Sequence, residues 1–137
     1  MSLTTKFLFH AGTIVSLLLL KSPMTIGQVP PYGAQVNEYN SRAWSASQQG
    51  DYDTAIINYQ RAGEAAKKLT NPILRDCAVS GAMANRQAAQ IAKQYLKQEG
   101  IVNSTTLQQA REREINAFEA YYDQFYLSRP DLVNRCP

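Results

Sequence analysis

The sequence predicts an all-α domain of four helices, a short helical hairpin followed by a longer antiparallel one, stapled by a disulfide. Three observations lead there. From residue 35 almost to the end, apolar residues recur at three- and four-residue steps, as on helices with a buried face. No run of alternating β-branched residues bounded by turns appears, so strands are not expected. Gly50, Asn71-Pro72 and Gly100 interrupt the periodic stretch where helices stop and start. Composition agrees: the 137 residues are 45% hydrophobic and 18% charged, as in folded globular chains and unlike disordered ones.

The N-terminus reads as a targeting segment. Lys6 precedes an apolar run over residues 7–20 that stops at Lys21. The run is shorter than the roughly 20 apolar residues needed to span a bilayer. It has the shape of a secretory signal peptide. Thr25 and Gly27 supply small residues where signal peptidase reads, which places cleavage after Gly27; an uncleaved N-terminal anchor is the alternative. No Cys follows the run to take a lipid. Residues 28–34 contain Pro30-Pro31 and Gly33 and read as an extended leader, because proline fixes φ and lacks an N–H. Residues 35–137 are then a single secreted or periplasmic domain.

Loss of residues 1–27 changes the charge. Lys6 and Lys21 leave, so 14 basic residues become 12 against an unchanged 11 acidic ones, a net charge of +1. Nucleic-acid binding thereby loses its electrostatic support. His10, the only histidine, leaves too. Ser-His and Cys-His nucleophile pairs, histidine bases and histidine metal ligands go with it. With no glycine-rich phosphate loop or metal-ligand spacing either, the expectation is a non-catalytic protein with no cofactor, no metal and no membrane span after cleavage.

The first helix reads over residues 35–49, with Val36, Tyr39, Ala43 and Ala46 on one face and Gly50 ending it. Asp51 caps a second, over 52–69, whose apolar face is Ala55, Ile56, Tyr59, Ala62, Ala66 and Leu69, with Lys67 and Lys68 in the last turn. Asn71 caps a third, over 72–99, with Pro72 in its first turn. Leu74, Cys77, Gly81, Ala84, Ala88, Ile91 and Tyr95 line its face, mostly small residues that permit close helix approach. The fourth begins near Ser104 with a capping box at Thr105-Thr106-Leu107-Gln108. It continues through Ala110, Ile115, Phe118, Tyr122 and Phe125 and ends before Pro130.

About four residues join the third and fourth helices, so they form an antiparallel hairpin. From Cys77 to Gly100 the third helix rises about 35 Å at 1.5 Å per residue, and from Ser104 to Leu127 the fourth returns about as far, which brings the tail beside Cys77. Cys136 lies on that tail. Two cysteines in an exported chain most often pair, and bridging Cys77 to Cys136 would add roughly 4 kcal/mol of stability. A reactive thiol or an intermolecular link is the alternative.

Gly50-Asp51-Tyr52-Asp53-Thr54-Ala55-Ile56-Ile57-Asn58-Tyr59-Gln60-Arg61-Ala62 resembles the centre of a tetratricopeptide repeat. In that family a Gly-Asp-Tyr turn joins two antiparallel helices, and Ala55, Tyr59 and Ala62 fall at its small, aromatic and small positions. Tyr39 and Ala43 match the large and small residues of the first helix. One unit, residues 36–69, is covered; Arg42 stands where the family usually has Leu, and no good second copy follows. The resemblance implies a groove along the first helix, lined by Asn37, Asn40, Trp44 and Ser47. The same four lie opposite much of the Tyr39-Ala43-Ala46 face. Amides and an indole suit an extended peptide; the competing reading packs Trp44 against another helix.

Other candidates are weaker. Glu112, Glu114, Glu119 and Asp123, with Arg111 and Arg113 nearby, read as a solvated, salt-bridged face. Tyr121, Tyr122 and Tyr126, with Phe125, form an aromatic cluster that is either core or an exposed docking surface. Asn103-Ser104-Thr105 matches an N-glycosylation sequon, meaningful only where the machinery exists. The functional expectation is an exported module that binds a protein or peptide. The alternatives are a structural protein that self-associates through the aromatic cluster and, with least support, a glycan hydrolase using Glu119 and Asp123.

Overall fold

The computed structural model describes residues 32–137. The expected signal peptide, 1–27, and most of the expected leader, 28–34, lie outside the described residues. Within them the chain is all-α: α1 (Ala34–Gln48), α2 (Tyr52–Ala66), α3 (Pro72–Glu99) and α4 (Ser104–Ser128), then a single 3-10 turn at Pro130–Leu132.

Local chemistry sets the helix ends. The Asp51 carboxylate accepts from the Thr54 N–H at 3.1 Å. The Asn71 side chain accepts from Ile73 and Leu74 at 3.0 and 3.1 Å. At α4 the capping box uses Asn103 and Thr106 rather than residues 105–108. Asn103 offers the shorter, stronger cap, and Thr106 returns the bond to the Asn103 N–H at 3.0 Å. Helix α2 ends three residues earlier than its apolar pattern, at Ala66, so Lys67 and Lys68 follow it rather than belong to its last turn. Gly50 stands at φ +79°, a left-handed conformation that costs other residues about 1 kcal/mol or more.

Consecutive helices pack side by side, α1 on α2, α2 on α3 and α3 on α4, while α1 meets α3 only marginally. Alanines make this close packing work. Ala43, Ala55, Ala62, Ala88, Ala89, Ala92 and Ala110 are fully buried. At the α2–α3 crossing, a Cβ added at Gly63 would lie 3.6 Å from that of Ala82. Helix α3 lies between two neighbours and so buries two stripes. Beside the expected Cys77, Gly81, Ala84, Ala88 and Tyr95 it also buries Ala78, Ala82, Ala89, Ala92 and Leu96. Ile91, expected inside, is 37% exposed.

Two apolar clusters divide the core. One, toward the α1–α2 turn, gathers Ala43, Tyr52, Tyr59, Tyr95 and Ala110. The other, at the opposite end, gathers Tyr32, Val36, Cys77, Phe118, Tyr122, Leu132 and Cys136. The Cys77–Cys136 disulfide lies in the second, with a Cα–Cα separation of 5.5 Å. Arg129 clamps the same tail, its guanidinium 2.9 Å from Asp76 and 3.0 Å from Asp131.

Candidate functional site on α1 and α4

Helix α1 presents the four groove candidates, and they separate by burial. Trp44 is 37% exposed. Asn40 and Asn37 are half-buried one and two turns away. The Asn37 amide oxygen accepts a long 3.4 Å bond from the Tyr32 N–H. The Asn40 amide oxygen is buried with no hydrogen-bond partner. Ser47 does not belong to this strip. It is 1% exposed, and its hydroxyl donates to the Trp44 carbonyl at 2.9 Å. A small side chain at the α1 end is drawn inward, toward Tyr59.

Helix α4 completes the surroundings. The Arg111 guanidinium donates to the Gln48 carbonyl at the C-terminal end of α1. Near the other end of α1, Tyr32 interacts with Tyr122 and Tyr126. These two contacts set α1 and α4 antiparallel. Ile115, expected in the core, is 40% exposed.

Next to Ile115 in the chain is Glu114, which the sequence pattern assigns to a solvated face. It is 2% exposed. Its neighbours are the Tyr52 phenol and Arg111, yet its Oε1 and the Tyr52 hydroxyl are both buried without a hydrogen bond of ordinary geometry. Burial raises the carboxyl from 4.5 to about 7, against the opposing pull of Tyr52 and Arg111. Burial, with Glu114 adding to it, holds the Tyr52 and Tyr59 phenols well above their ordinary range. The signal for Glu114 was present in the sequence: Ala110, Glu114, Phe118 and Tyr122 repeat at four-residue steps on one side of α4.

The aromatic cluster is divided between core and surface. Tyr122 is 4% exposed and stacks on Phe118 with centroids 5.3 Å apart. Its ring meets Tyr126 edge-on at 4.9 Å. Tyr121 and Tyr126 are half-buried against the same cluster. Leu132 and Cys136 of the tail share that cluster, so Tyr122 is core and not part of a docking surface. Glu119 and Asp123 are exposed on α4. Among the described residues no group of three or more His, Cys, Asp or Glu side chains is arranged to hold a metal ion. Among them, too, no helix is long and apolar enough to cross a membrane.

No protein-family model, curated protein or solved structure matches this chain.

Proposed function

We propose that this chain is an exported, non-catalytic helical module that binds a protein or peptide partner along the outer strip of α1. The carrying observation is an exposed indole on the same strip of α1 as two half-buried Asn amides. Trp44, the only tryptophan, keeps over a third of its surface in solvent. The Asn40 amide oxygen nearby has no internal partner. A flat apolar anchor beside half-buried Asn amides suits an extended peptide backbone. The tetratricopeptide-like turn at Gly50-Asp51-Tyr52 supports the same reading by resemblance, and the buried disulfide fits an extracellular or periplasmic setting.

The test is affinity capture from the source organism's exported fraction, using residues 28–137 and the Trp44→Ala/Asn40→Ala double variant. The expected result is a protein retained by the first and lost by the second, with unchanged circular dichroism. Truncating a binding hot spot costs about 2 kcal/mol or more, roughly thirtyfold in affinity. Equal retention by both proteins, or unfolding of the variant, would remove the α1 strip from consideration. Self-association through Tyr121, Tyr122 and Tyr126 has less support, because Tyr122 is buried.

A further inference from the structure

The outward trough between α2 and α3 carries a cation with no partner. Arg86 lines a cleft of ≈ 140 Å³ together with Tyr59, Gly63 and Met83. Its Nε is buried and makes no hydrogen bond. Among the described residues its guanidinium has no ion pair, while the nearby carboxylates are engaged. Glu64 pairs with Lys67 at 3.0 Å. Asp76 pairs with Arg129 at 2.9 Å and lies 3.8 Å from Arg75. The side chain as a whole is only half-buried, so an external carboxylate meets the terminal N–H groups of the guanidinium, not the sealed Nε.

The trough extends beyond Arg86. A second cleft of ≈ 490 Å³ shares Lys67, Val79 and Met83 with the first and runs on to Phe125 and Arg129. Four cations, Lys67, Arg75, Arg86 and Arg129, line the combined surface against two carboxylates, Glu64 and Asp76; with Asp131, which also holds Arg129, one positive charge remains. Met83, 50% exposed, lies where the clefts meet. A flexible thioether beside a planar guanidinium suits a carboxylate followed by an apolar side chain.

We propose that this α2–α3 trough is a docking surface for an acidic protein segment, which places a carboxylate on Arg86 and an apolar side chain on Met83. It is separate from the α1 strip and independent of the reading built on Trp44. Positive charge complementary to the segment steers the encounter, and the bond to Arg86 fixes its register. Isolated phosphate would leave the Met83 side of the trough unused.

The experiment is a nuclear magnetic resonance titration of the oxidised, exported protein. The probes are a short, end-blocked peptide of alternating Glu and Leu, the same peptide with Gln for Glu, and a short single-stranded oligonucleotide. The acidic peptide is expected to shift the Arg86 Nε–H and Met83 methyl signals and leave the Trp44 indole unmoved. The Gln peptide should do neither. Arg86→Gln should weaken binding about tenfold, the share of one charge-assisted bond. Met83→Glu, at an exposed position that does not threaten the fold, should abolish it by repulsion. An equal response to the Gln peptide or to the oligonucleotide would overturn the proposal. So would shifts confined to Trp44, or unchanged affinity in both variants.

Discussion

Replacing Glu114 with Gln should stabilise the protein at neutral and alkaline pH and leave it nearly unchanged near pH 4.5. The carboxyl is 2% exposed, and burial raises it from 4.5 to about 7. At about 1.36 kcal/mol per pH unit, holding the charged form inside costs about 3 kcal/mol. Below 4.5 the group is protonated in both folded and unfolded chains and contributes nothing. Between 4.5 and about 7 the folded state holds a proton that the unfolded chain has released, so stability falls as pH rises. Above about 7 both states are ionised and the full penalty applies. Tyr52 and Tyr59 stay protonated throughout this range and do not mask the effect. The assay is urea unfolding of the oxidised protein and Glu114→Gln, at steps from pH 4.5 to 8. Subtracting the two cancels the other carboxyls, including Asp51 and Asp131, which hydrogen bonds hold below their ordinary range. About 3 kcal/mol corresponds to a midpoint difference of about 1–3 M urea at pH 8. A difference that does not change with pH would refute the reasoning, since it would mean that Glu114 ionises alike in the folded and unfolded chains.

Two further perturbations test the scaffold. Cys77 and Cys136 are 59 residues apart in sequence, and replacing both with Ser should cost about 4 kcal/mol; unfolding midpoints of oxidised wild type and the double variant would measure it, and a loss below about 1 kcal/mol would mean that the tail is held by Arg129 and Leu132 instead. Gly50→Ala should cost about 1–2 kcal/mol, because φ is +79° there and the new methyl would press into the Leu107 side chain. A thermal melt would read this as a drop of several degrees.

The helices were legible because their signals are local. Asp51, Asn71-Pro72, Gly50 and Gly100 act within a turn of themselves, and each lies at a helix end in the structure. The disulfide was legible because two helices of similar length joined by a short turn must return the tail to its origin, whatever else the fold does. The sites were less legible. Ser47 and Trp44 are three residues apart on the same helix, yet one is buried and the other exposed. Glu114 and Ile115 are adjacent, and the acid is inside while the isoleucine is out.

Sequence alone determined the all-α class and the helix ends to within a few residues, and it led to the expectation that Cys77 and Cys136 pair, as they do in the structure. Each follows from backbone preferences, capping groups and chain length. Only the tertiary structure decided which faces are buried. Where a helix has two neighbours, as α3 does between α2 and α4, two adjacent stripes are buried and a single-face reading misses one of them. The packing that brings α4 beside Tyr52 decides that Glu114, not Ile115, is taken from water. The same long-range packing leaves the Arg86 Nε and the Asn40 amide oxygen without partners. Burial at such positions depends on residues tens of positions away, and that information is absent from the local pattern around each of them.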